Sequence, residues 1–95
     1  MAKFGVFLPA FGYPAITLEF LKEAAKEAED LGYSGVYLAD HPIYTEGLAS
    51  FGQEGIYDPI VTLSQIAAVT STIKIGVGVL LVPLRHPLML AKSLA

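Results

Sequence analysis

The stretch Gly35-Val36-Tyr37-Leu38-Ala39-Asp40-His41 decides how the rest of the chain is read. Five apolar residues without polar alternation describe a strand covered on both faces, the pattern of a parallel sheet. The strand then ends in a carboxylate and an imidazole. In parallel α/β sheets the carboxyl ends of the strands carry the chemistry, so Asp40 and His41 are candidate site residues. The plainer reading is a satisfied loop histidine beside an aspartate that turns the chain.

Working outward, residues 4–8 form another continuous apolar run, stopped by Pro9. Thr17 can cap a helix over 17–31, with Glu19 placed favourably in its first turn. Leu18, Leu21, Ala25, Ala28 and Leu31 recur at helical spacing, and the charged residues between them read as a solvated face. Gly32 closes that helix at C′. The connection over 42–57 is long and carries Tyr44, Phe51 and Tyr57. Such a length with such aromatics reads as a lid, against a decorative insertion. Asp58-Pro59 starts a second helix, expected to run to about residue 70. Its lack of charged side chains predicts cover on more than one side. A third strand is expected over 73–82, with its paired part near 74–81. Leu84-Arg85-His86 is then a loop before a helix that begins at Pro87.

The order is β-α-β-α-β-(α), which predicts parallel, adjacent strands with helical crossovers outside them. Gly76-Val77-Gly78 lies inside a strand and is no phosphate loop, so a dinucleotide-binding fold loses its fingerprint. The expected class is α/β, a parallel (β/α)8 TIM-barrel type. Residues 1–95 would be the amino-terminal, incomplete part of one barrel domain.

Composition agrees with an incomplete unit. Apolar residues make up 54% of the chain and charged ones 16%, too apolar for a free-standing small domain. A homo-oligomer, or assembly with the remainder of the barrel, is expected. A net charge of −3 without a basic patch argues against nucleic acid as a partner. The absence of cysteine removes disulfides and thiolate metal sites and suits the cytoplasm. The start of the chain does not read as a signal peptide. The longest apolar stretch, 75–84, falls short of the roughly 18 residues of a membrane span. No His, Asp and Glu set has metal-ligand spacing.

Several segments together resemble the amino-terminal third of bacterial luciferase-like flavin and deazaflavin (F420) oxidoreductases. They are Phe4-Gly5-Val6-Phe7-Leu8-Pro9, Ala28-Glu29-Asp30-Leu31-Gly32-Tyr33, Val36-Tyr37-Leu38-Ala39-Asp40-His41, Tyr57-Asp58-Pro59, Ile75-Gly76-Val77-Gly78-Val79-Leu80 and Pro83-Leu84-Arg85-His86-Pro87. The resemblance implies that His41 is the active-site histidine after strand two. It implies that Asp40 is the carboxylate facing the deazaflavin ring, which favours F420 over FMN as cofactor. It also places Gly78-Val79 where many members carry a non-prolyl cis peptide in a bulge behind the ring; the plainer reading of Gly78 is a close backbone approach. Arg85 would meet a phosphate or an acidic cofactor tail, or else be a surface arginine near a helix start. His86 reads as a loop residue held extended before Pro87.

Four functions compete on this reading. One is an F420-dependent oxidoreductase transferring hydride to or from a small organic substrate, with His41 moving the proton. Another is an FMN-dependent monooxygenase of the same fold, using reduced flavin and oxygen. A third is a short non-catalytic flavin-binding or oligomer-forming protein. The last is a piece of an enzyme, inactive alone.

Overall fold

Three parallel strands hydrogen-bond in chain order: β1 (Gly5–Phe7), β2 (Gly35–Ala39) and β3 (Lys74–Val79). This computed structural model describes residues 2–10, 16–41, 43, 45–49 and 57–95. The crossover from β1 to β2 holds α1 (Leu18–Asp30), and that from β2 to β3 holds the short α2 (Glu46–Ala49) and α3 (Pro59–Ala67). A 3₁₀ turn (Val82–Leu84) and α4 (Pro87–Leu94) follow β3. Parallel strands joined by helices in this order are how a (β/α)8 barrel begins.

Local chemistry sets the helix ends. The Thr17 hydroxyl accepts the Phe20 N–H at 3.1 Å and Asp58 Oδ1 accepts the Val61 N–H at 3.0 Å, each capping its helix. At the other end of α1, Gly32 takes φ +85°. There Gly32 N–H bonds to Glu29 O and Tyr33 N–H to Ala28 O, the paired closure that a C′ glycine permits.

The sheet has two unlike faces. Val36 and Leu38 are fully buried against Leu21 and Ala25 of α1 and Leu63 and Ile66 of α3. Each such side chain contributes about 1.5–3 kcal/mol by leaving water. On the opposite face the Tyr37 ring lies across the sheet. A Cβ at Gly5, Gly35 or Gly76 would come within 2.6, 2.7 or 3.1 Å of it. Those positions lack side chains because the ring fills their space.

Several expectations need adjusting. β1 is covered on its helix side only: Phe7, on the other face, is half exposed, and Phe4, just before the strand, is 70% exposed. α3 ends at Ala67, short of residue 70, and in the turn that follows the Val69 and Thr70 N–H groups and the Thr70 hydroxyl all share Ile66 O. Within this chain its outer side is open, with Val61 63% exposed. β3 ends at Val79, since Pro83 cannot donate a ladder bond and Val82, Leu84 and Arg85 N–H turn back on the chain itself. Most of the expected lid, including Tyr44 and Phe51, lies outside the described residues. Tyr57 is no lid residue: its hydroxyl donates to Ile16 O at 3.3 Å and it packs on the core.

Glu29 departs from the expected solvated face. Its carboxylate accepts the N–H groups of Ser71 (2.9 Å), Thr72 (2.7 Å) and Ile73 (2.8 Å), tying the end of α1 to the entry of β3. The Ile73, Thr72 and Ser71 N–H bonds, in that order, lower its pKa from 4.5 to about 2. A depressed carboxyl stabilises the fold above its unfolded pKa, and that stabilisation disappears as pH falls through the folded one. The stability gap between the wild type and Glu29→Gln should therefore be constant above about pH 5 and close between pH 4.5 and 2. Urea unfolding across that range checks it; a gap that does not change with pH would show that the ionised carboxylate is not the latch.

Candidate active site

Side chains alternate along a strand, and β2 continues one residue past its last regular pair. The Asp40 N–H donates to Val79 O at 3.1 Å. Asp40 thus shares the parity of Val36 and Leu38 and turns toward the helix side. Its side chain is 3% exposed. His41, of opposite parity, is exposed at the strand end.

A carboxylate this buried needs partners, and Asp40 has three. Oδ2 accepts the Leu81 N–H at 3.1 Å and the Arg85 Nε–H at 3.2 Å, while Oδ1 faces Arg85 Nη2 at 3.0 Å. The guanidinium therefore grips the carboxylate with two nitrogens, the geometry that suits arginine and not lysine. The same Nη2 donates to Asp58 Oδ2 at 3.0 Å. Asp58 serves two elements at once, since its other oxygen caps α3. Burial pushes the Asp58 carboxyl up, but the Val61 N–H and the Arg85 guanidinium outweigh it and hold it below the usual carboxylate range. The Asp58 hydrogen bond, opposed by desolvation and joined by Asp40, raises the Arg85 pKa further.

Beside this network the sheet bulges. Leu38 pairs with Val77 and Ala39 with Val79, leaving Gly78 as the extra residue. A Cβ at Gly78 would approach Phe7 Cε2 to 2.7 Å. The Phe7 ring, on β1, thus reaches across β2 to lie on β3. The bulge is present, but among the described residues no peptide bond is cis, so the Gly78–Val79 peptide is trans. An inserted glycine makes the bulge with ordinary peptide bonds, and a non-prolyl cis bond costs about 3–4 kcal/mol that nothing here must supply. Phe7 and Val79, half or more exposed, give the strand ends an apolar surface.

The structure therefore brings Asp40 and Arg85 into direct contact and places the Gly78-Val79 bulge and His41 at the same sheet edge. His86 precedes α4 on its exposed side and makes no side-chain cap. Two partners escaped the sequence reading: Asp58, taken only as a cap, and Phe7, whose contact with Gly78 crosses a strand. Parity with Val36 and Leu38 was a signal that Asp40 turns inward; nothing local signalled Asp58. Among the described residues no group of three His, Asp or Glu is placed to hold a metal ion. No described helix is long and apolar enough to cross a membrane.

The model of the luciferase-like monooxygenase family matches residues 1–95. The chain belongs to that family. Luciferase-like proteins are flavin-dependent oxidoreductases and monooxygenases that use a flavin or F420. An uncharacterized Bacillus subtilis protein, YceB, is 35% identical over 80 residues, covering 84% of this chain and 22% of the relative. This luciferase-like chain thus spans about a fifth of that relative's length.

Gly78→Ala should destabilise the protein by about 1–3 kcal/mol, the usual cost of overpacking. In a Phe7→Ala background the cost should largely vanish. Urea denaturation of the four variants of this cycle measures it; an equal cost in both backgrounds would show that the ring does not confine position 78.

Proposed function

We propose that the protein containing this segment is a flavin- or deazaflavin-dependent oxidoreductase that transfers hydride between F420 and a small organic substrate. The observation that carries this reading is the division at the end of β2, where a buried, paired Asp40 precedes an exposed His41 beside an apolar edge. Phe7 and Val79 offer a planar ring an apolar surface, and the Gly78 bulge shapes the strand beneath it. An apolar edge of this kind supports a reading in which a planar ring lies there. The cofactor's anionic tail is another matter. Arg85 already faces two carboxylates, so a phosphate there would have to displace Asp58.

When bound, the ring accepts or returns the hydride. His41 would take the hydroxyl proton from an alcohol-like or hemiacetal substrate as hydride leaves its carbon, and return it in the reverse direction. An imidazole suits both directions because its ordinary pKa, about 6.5, lies near neutrality. The open inner face of the sheet suits cover by further barrel strands or by another copy of the chain.

One observation favours a second reading, the FMN-dependent monooxygenase. The preference for F420 rests on Asp40 facing the ring, yet both oxygens of Asp40 are engaged elsewhere. Fluorescence titration with F420 and with FMN decides between them. In the protein with its bound cofactor, His41→Ala should lower turnover about a hundredfold or more at saturating cofactor, the scale of a lost general acid or base. Cofactor affinity should change much less. Unchanged turnover would remove His41 from the chemistry.

A further inference from the structure

We infer that Asp40 and Arg85 act as one positioning unit that holds the loop after β3 against the end of β2, and that Asp40 supports the cofactor ring through this loop without touching it. The inference rests on the functional reading above, and its geometry stands independently. The Asp40 carboxylate brackets the 3₁₀ turn from both sides. It accepts the Leu81 N–H just before the turn and the Arg85 side chain just after it. The Arg85 N–H closes the same turn onto Val82 O at 3.0 Å. Asp58 then takes Nη2 from the start of α3. A single guanidinium thus joins the end of β2, the loop after β3 and the first turn of α3.

Little of Asp40 is open to a ligand. One oxygen receives two donors, the other faces Nη2, and the side chain is almost completely covered. A group reaching a bound ring from this strand end must come from the next residue, His41, whose parity is that of Tyr37 and Ala39 on the inner face. Asp40 is on this account a positioning residue, and so is Arg85.

A double-mutant cycle separates this from direct contact. Asp40→Asn and Arg85→Gln are made singly and together, and dissociation constants for F420 and FMN are read by fluorescence quenching. Each single variant is expected to weaken binding about tenfold and the pair also about tenfold, because partners in one contact do not add. A pair weakened about a hundredfold would mean that Asp40 meets the cofactor independently of Arg85, and would overturn the inference. Arg85→Lys keeps the charge without the fork and is expected to bind as weakly as Arg85→Gln, with the same altered quenching of the bound ring. Full recovery by lysine would show that charge alone suffices. If Asp40→Asn does not fold, Asp58→Asn replaces it in the cycle. Coupling to Arg85→Gln is again expected, and independence there refutes the shared guanidinium. Should the wild type bind neither cofactor, the functional reading fails. The pair is then judged by urea unfolding of the same variants, where coupling supports the unit and additivity removes it.

Discussion

A buried carboxylate governs the end of this sheet. Leaving Asp40 charged and unpaired under the loop after β3 would cost several kcal/mol. The charge therefore dictates where Arg85 goes, and Arg85 dictates the path of residues 81–85. A pair of this kind contributes little net stability compared with apolar residues of the same shape, while breaking it costs about 3–5 kcal/mol. Such an arrangement specifies a geometry more than it stabilises a fold. The elements it joins, the ends of β2 and β3 and the start of α3, form the edge that carries His41.

The opposite end of the sheet is fastened by a similar device in a different setting. Glu29 gathers three successive N–H groups as the chain enters β3, from a partly open position on α1. A carboxylate satisfied by backbone amides has no need of a counter-ion, so salt should affect it less than a surface ion pair. One latch thus uses backbone donors at the amino end of β3, and the other uses a guanidinium at its carboxyl end. Between them, the helix-facing side of β2 is closed by Val36 and Leu38.

What could be read from the sequence was local or periodic. The limits of β2, the Thr17 and Asp58 caps and the Gly32 closure follow from a few adjacent residues, and the structure shows each of them. The parallel order followed from alternating element types. What could not be read joins residues distant in the chain. Glu29 looks like its charged neighbours on α1 until the loop at 71–73 is placed beside it. Arg85 looks like a loop arginine until the bulge and the 3₁₀ turn aim it back at a residue 45 positions earlier. Glycine was the subtler case. Gly78 could be read as a close backbone approach, but nothing in sequence named Phe7 as what approaches it or put Gly5, Gly35 and Gly76 under the Tyr37 ring.

The two aromatic rings make the inner face of the sheet unlike its helix face. With Tyr37 over three glycines and Phe7 over a fourth, the inner face is layered along the strands, tyrosine toward the amino end and phenylalanine toward the carboxyl end. Glycines let both rings lie close to the backbone, which lowers the floor of that face instead of filling it. His41 is exposed at the carboxyl end of β2, the end toward which the Phe7 ring leans over Gly78. The helix face has no such room, because Leu21, Ile66, Val36 and Leu38 already meet there without exposure. Strand parity separates the two ionisable residues: Asp40 lies with Val36 and Leu38 and is neutralised from within the protein, while His41 is exposed at the strand end. Moving the pair by one residue would bury the imidazole and open the carboxylate, with Arg85 no longer opposite its partner.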